Sequence, residues 1–189
     1  MKRKIFIGAV LAICLSLLAY GTIAYFTATD TAHNVITTGG IEIELLEWAN
    51  EEKTIPFPED GISVMPDTEA VKIVEVKNTG NNEAYIRIKV DKNIELAPGV
   101  AGEVNPQLIV LNFNNTYWTF HEDGFYYYNE ALAPGQTTAE PLFTSVSFDK
   151  SMDNLYQQCK VTIDITVYAT QVANNGGSAL SASGWPAAE

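Results

Sequence analysis

The sequence predicts an all-β fold, a two-sheet antiparallel sandwich behind an N-terminal apolar segment. Three observations predict it. Apolar and polar residues alternate with a period of two in several segments, as they do in strands with one wet face. Roughly eight short runs of this kind are separated by turn residues, the rhythm of a sandwich. No amphipathic helical stretch of useful length occurs in the middle of the chain.

The first element is a leader. Lys2, Arg3 and Lys4 precede an apolar run from Ile5 to Tyr20. A basic start and an apolar core of this length describe a secretory signal peptide. The competing reading is a membrane anchor, because the weakly polar stretch from Ile5 to Phe26 matches the roughly 20 residues of a spanning helix. Thr22 and Ala24 place small residues at minus three and minus one to a cut before Tyr25. Gly21 weakens the helix just ahead of it. Cleavage after Ala24 is therefore expected, and both readings put the rest of the chain outside the cell. Ile13 stands before Cys14 where a lipoprotein site wants a small residue, and there is no arginine pair. General secretion is the expected route.

Removing residues 1–24 from the 189 leaves 165, enough for one domain with a core. The whole chain carries a net charge of −12, and the leader holds three basic and no acidic residues, so the remainder carries −15. Such a surface repels nucleic acid and anionic lipid, and nucleic acid is excluded as a partner. Cys159 is the one cysteine beyond the leader, so an internal disulfide is excluded as well. It is expected to start a strand as a small apolar residue, with a reactive thiol as the alternative.

The strands follow in order. In IEIELLEW (41–48), Ile41, Ile43 and Leu45 alternate with Glu42 and Glu44. VKIVEVK (71–77) is β-branched but slips register between Ile73 and Val74, which predicts a bulge. In AYIRIKV (84–90), Ala84, Ile86, Ile88 and Val90 share one face, and Tyr85, Arg87 and Lys89 the wet one. In VTIDITVYA (161–169), Val161, Ile163, Ile165 and Val167 face inward, with Thr162, Asp164, Thr166 and Tyr168 outward. Asn78-Thr79-Gly80-Asn81-Asn82 and His121-Glu122-Asp123-Gly124 are expected hairpin turns, and Ala133-Pro134-Gly135-Gln136 another turn before LFTSVSF (142–148). In the tail, SALSASGW is expected to form one helical turn that docks Leu180 and Trp185, with a frayed end as the alternative.

Catalytic and metal motifs are missing. His33 and His121 are the two histidines, far apart, and there is no HExxH. GxSxG and phosphate-loop patterns are absent too. His121-Glu122-Asp123 falls on a turn, where charges are solvated, and Glu59-Asp60 lacks the spaced carboxylates of a calcium loop. No catalytic residue, metal ligand or cofactor is assigned, and the protein is not expected to be an enzyme. The aromatic cluster Tyr117, Trp118, Phe120, Phe125, Tyr126, Tyr127 and Tyr128 is expected to be mainly core. Tyr126, Tyr127 and Tyr128 are the candidate binding surface, since exposed tyrosines favour interfaces and sugars.

Gly21-Thr22-Ile23-Ala24-Tyr25-Phe26-Thr27, followed by Asp30-Thr31 and Thr38-Gly39-Gly40-Ile41-Glu42-Ile43, resembles the leading region of the TasA/camelysin family. Those are exported proteins of Gram-positive bacteria, cut by a SipW-type signal peptidase. Val76-Lys77-Asn78-Thr79-Gly80, Ala84-Tyr85-Ile86-Arg87-Ile88, Leu132-Ala133-Pro134-Gly135 and the tail from Gln171 to Pro186 resemble the clostridial BsaA-type matrix proteins.

The resemblance implies a jelly-roll-like sandwich that polymerises head to tail into extracellular biofilm-matrix fibres. It implies that the donor segment 25–35, beginning Tyr25, Phe26, Thr27, Ala28, Thr29, Asp30 and Thr31, leaves its own subunit to complete the sheet of the next. Cleavage would then be the switch for assembly. The expected organisation is a signal peptide (1–24), a donor-strand segment (25–35), a sandwich (36–173) and a tail (174–189). Expected partners are copies of itself, a SipW-type peptidase, and other matrix proteins or polysaccharide, at the cell surface or in the extracellular matrix. The alternative is a monomeric surface module that binds glycan or protein through the tyrosine hairpin. A camelysin-like metallopeptidase is the third reading, disfavoured because no zinc motif is present.

Overall fold

The computed structural model describes residues 26–37, 40–58, 62–64 and 66–187. Eleven strands lie within them: β1 (Phe26–Thr37), β2 (Ile43–Trp48), β3 (Ile62–Val64), β4 (Thr68–Val71), β5 (Ile73–Asn78), β6 (Ala84–Glu95), β7 (Ile109–Leu111), β8 (Trp118–Phe120), β9 (Phe125–Tyr128), β10 (Ser145–Phe148) and β11 (Lys160–Gln171). The all-β sandwich is the fold. One six-stranded sheet runs β3-β1-β11-β6-β9-β8, and two smaller sheets run β4-β10-β7 and β2-β5. Lys72 N donates to Thr144 O and Val74 N to Phe143 O, so the two smaller sheets continue one another. Among the described residues no helix is long and apolar enough to cross a membrane.

The core lies between the large sheet and the two small ones. Ile86, Ile88, Val161, Ile163, Ile165 and Val167 from β6 and β11 meet Ile43, Leu45, Val74, Val76, Ile109 and Val146 from the opposite layer. Of these, Ile43, Leu45, Ile86, Ile88, Val161, Ile163, Ile165 and Val167 are residues whose alternation assigns them inward. Each such side chain, fully buried, contributes about 1.5–3 kcal/mol of transfer free energy. The β6–β11 ladder pairs antiparallel from Ala84↔Gln171 to Glu95↔Lys160 and forms the spine of the sheet.

Four local expectations need correction. The β-branched run 71–77 divides at Lys72: residues 68–71 pair with β10, and residues 73–78 pair with β2. The slip therefore marks a change of partner, beyond a single extra residue. Residues 78–82 do not close a hairpin, because β5 and β6 belong to different layers. Instead Asn78 buttresses the crossover: its Nδ2 donates to Asn82 O and Leu132 O, and its Oδ1 accepts from Gly80 N. A Cβ on Gly80 would stand 2.8 Å from Glu42 N, so the crossing requires glycine there.

The third correction concerns the face of β6 and β11 expected to be wet. Tyr85, Arg87 and Tyr168 are buried on it, beneath the C-terminal tail. The fourth lies within that tail. Ser178 caps a short 3-10 turn, Ala179–Ser181, which buries Ala179 and leaves Leu180 exposed. Trp185 docks, as expected; Leu180 does not.

The other turns form where expected. His121 N donates to Phe125 O and Gly124 N to His121 O, closing the β8–β9 hairpin. Gln136 N donates to Ala133 O across Pro134 and Gly135, whose φ of 75° suits glycine. Cys159 is buried directly before β11, as expected of a small apolar residue at the start of a strand.

Candidate functional site

Two features of the large sheet are candidates for function. The first is the seat of β1. This strand runs parallel to β11, from Thr27↔Lys160 to Thr37↔Ala169, with an irregularity between Thr31 and Asn34. On its other side Phe26, Thr27 and Ala28 pair antiparallel with Val64, Ser63 and Ile62 of β3. Every other strand pair among the described residues is antiparallel. A parallel neighbour has no short connection to its partner. Here β1 reaches β11 from the far end of the chain. Phe26 through Thr31 of the expected donor segment thus lie within a sheet of their own subunit. Tyr25 and the expected cleavage residues Thr22 and Ala24 lie outside the described residues.

The second feature is the outer face of β6, β9 and β11. The Arg87 guanidinium sits 4.1 Å from the Phe125 ring, 4.8 Å from Trp185 and 5.2 Å from Tyr168. Its Nη1 donates to Tyr127 Oη and its Nη2 to Pro186 O. Tyr85 Oη donates to Gly176 O at the other end of the tail. Between them, Asn175 Nδ2 donates to Gln171 O and Ser183 O, while its Oδ1 accepts from Ser183 N. The tail is thereby sealed over an aromatic floor by one cation and one amide. Tyr127 continues the chain of contacts, donating to Asp123 Oδ2 at 2.6 Å. Burial, and then that carboxylate, push the Tyr127 phenol above its ordinary pKa.

No family model, curated protein or solved structure matches this chain.

The candidate tyrosine surface divides between both faces of β9. Tyr128 is 1% exposed and packs on Trp118 in the core, its hydroxyl accepting from Ala139 N. Tyr127 is 5% exposed and faces the tail. Only Tyr126 of the three is partly open, stacked on Phe113 at 4.2 Å and beside Phe120 at 4.8 Å. Phe120 is 57% exposed. Strand alternation dictates this division, since neighbouring residues cannot share a face. The part of the hairpin that can meet a ligand is therefore the Phe120–Tyr126 strip.

His121 and Asp123 stand on the hairpin tip, 3.3 Å apart and well exposed. Among the described residues no three His, Cys, Asp or Glu side chains are grouped to hold a metal. Glu59 and Asp60 lie outside the described residues.

Sequence reasoning missed two groups of residues. One is the Arg87 cage. Its signal was present, since Tyr85, Tyr168, Phe125 and Tyr127 make a wet face unusually aromatic. The other is the pair Glu47 and Lys72, buried inside the sandwich with Nζ and Oε1 2.6 Å apart. Glu47 continues the inward series Ile43, Leu45, and Lys72 begins the inward series Val74, Val76. Two charges on an apolar alternation were the signal for that pair.

Proposed function

We propose that this protein is a secreted structural subunit that polymerises into extracellular matrix fibres by donor-strand exchange once its leader is removed. The observation that carries the reading is the seat of β1. The most N-terminal described strand occupies a slot between β3 and β11, and the bonds it makes there are backbone bonds. A second copy's identical segment can make the same bonds, because backbone pairing is indifferent to which chain supplies the strand. Released from its own subunit, β1 leaves the β11 edge unpaired, and an unpaired edge recruits a strand. Exchange that passes each segment to the next copy does not close, and yields filaments. The resemblance of the leading region to the TasA/camelysin family supports the same reading, with a SipW-type peptidase, other matrix proteins and polysaccharide as partners.

In this reading the folded-back β1 is the unassembled subunit, filling its own slot. Negative-stain microscopy tests the proposal on protein beginning at Tyr25, beside the same protein with a blocking N-terminal extension. Filaments from the free form alone support it. Single particles from both forms, at concentrations where exchange has time to occur, reject it.

A second reading rests on the exposed Phe120 beside Tyr126. Such a strip suits stacking on a sugar or an aliphatic side chain. Phe120→Ser with Tyr126→Ser would remove glycan or protein binding in that case, and would leave filaments intact in the first.

A further inference from the structure

Lys72 and Glu47 occupy an environment that neither the assembly reading nor the aromatic strip uses. Their side chains are 2% and 3% exposed, and Nζ lies 2.6 Å from the Glu47 Oε1. The Phe57 ring covers the ammonium at 3.9 Å from its centroid. Both backbones are held. Lys72 N donates to Thr144 O, and Glu47 O accepts from Phe57 N. In the β2–β5 ladder Glu47 is opposite Val74. Lys72 lies two residues before Val74, which makes it the diagonal neighbour of Glu47 on the inner face. The two side chains therefore converge from adjacent strands on one dry point.

We propose that Lys72 and Glu47 condense into an intramolecular amide. The ion pair first passes one proton from Nζ to the carboxylate across the contact, giving a neutral amine and acid. The amine lone pair attacks Cδ, forming the Nζ–Cδ bond. A second Nζ proton moves to the departing oxygen, the Cδ–O bond breaks, and one water leaves. The ammonium and the carboxylate together contain the atoms of the amide and that water, so no oxidant or co-reactant is needed.

Three physical conditions favour the step. Contact at 2.6 Å in a fixed geometry replaces an encounter with an intramolecular reaction. An ion pair in a dry interior carries a large desolvation penalty, whereas an amide carries a much smaller one. Water is kept from the product by Phe57 and the surrounding core, which slows hydrolysis.

The bond would close a loop from residue 47 to residue 72. That loop contains β3, the outer neighbour of β1, and β4. Cys159 is a free cysteine, so the described residues hold no disulfide to do this work. Closing a loop covalently restricts the unfolded chain and stabilises the native one. The site stands independently of the assembly proposal.

The test is the intact mass of the purified full chain, read under denaturing conditions, followed by a tryptic map. The expected mass is lower by one water than the mass calculated from the sequence of the same chain. Trypsin is expected to spare Lys72 and to release the segment ending at Lys53 joined to residues 54–77. Lys72→Met is expected to restore the full mass, a reading that does not require the variant to fold. Full mass in the natural chain, with cleavage after Lys72, overturns the proposal. So does a missing water that maps to Asp60-Gly61 or Asp123-Gly124, where a cyclic imide gives the same loss.

Discussion

Arg87 and Trp185 face each other across the outer surface of the large sheet, the guanidinium carbon 4.8 Å from the indole ring. They are separated by almost a hundred positions in the chain. The contact joins the spine strand β6 to the part of the tail beyond its 3-10 turn. Trp185 also meets Tyr127 edge-on at 5.8 Å. Trp185→Ala is expected to destabilise the fold by about 1–3 kcal/mol, from lost aromatic area and the cation–ring contact. Urea unfolding measures it. Limited proteolysis should cut the tail near residues 174–180 much faster than in the parent protein. Leu180→Ala, at a position 48% exposed, is the control and should change stability by under about 0.5 kcal/mol. Equal effects from the two substitutions would contradict the docking described.

Lys72→Met removes the partner 2.6 Å from the Glu47 Oε1 while keeping the side chain's volume. A buried carboxylate deprived of its cation is expected to lower stability by about 3–5 kcal/mol. Adding Glu47→Leu should recover the part of that loss that comes from the unpaired carboxylate, and not the part that comes from the opened 47–72 loop. Urea midpoints of the single and double variants decide the matter. A single variant as stable as the parent would mean that the pair carries no energetic weight.

Asp123 reports the state of the β8–β9 hairpin through pH. Desolvation tends to raise its pKa, but hydrogen bonds from the Tyr127 hydroxyl, the Phe125 amide and His121 together bring it below the ordinary value of 3.8. A carboxylate with a depressed folded pKa contributes stability above its unfolded pKa, and loses it as pH falls through the folded one. Its contribution is therefore present above about pH 4 and fades below that. The group is 37% exposed, so solvent screening limits the effect to under about 1 kcal/mol. Asp123→Asn should lower stability at neutral pH and reduce its decline in acid. Parallel acid titrations of both proteins by tyrosine fluorescence would show it, and superimposed curves would argue against the Tyr127–Asp123 bond.

Cys159 is 1% exposed, and burial pushes its thiol up to about 11. Thiolate is the reactive form, so both access and ionisation oppose modification. A thiol reagent at about pH 8 is expected to leave the native protein unmodified while reacting fully with the urea-unfolded chain. Rapid labelling of the native state would place Cys159 outside the core.

Much of the sandwich was legible because period-two alternation is a local property. Ile86 and Val167 are assigned inward by their immediate neighbours, and they pack there. The β8–β9 hairpin is also local, since His121 to Gly124 carry the turn chemistry themselves. Legibility failed where a residue's surroundings come from distant chain. Arg87 reads as wet by alternation alone, and nothing near it in sequence announces Trp185 or Pro186. Tyr127 and Tyr128 read as one patch because they are adjacent, yet the pleat sends them to opposite faces. Asn78 to Asn82 has the composition of a hairpin, but turn composition does not state whether the next strand joins the same sheet.

The sequence by itself determined the strand-forming character of segments such as 84–90 and 161–169, their inward faces and the acidic balance. These follow from residue type and short-range order, which water and backbone geometry read directly. Only the tertiary structure decided which strands are neighbours. It set β1 parallel to β11, divided residues 68–78 between two sheets at Lys72, and laid the tail over Arg87. The physical reason is that backbone hydrogen bonds carry no address. Any exposed edge accepts any strand, and the choice is made by burying side chains that lie far apart along the chain.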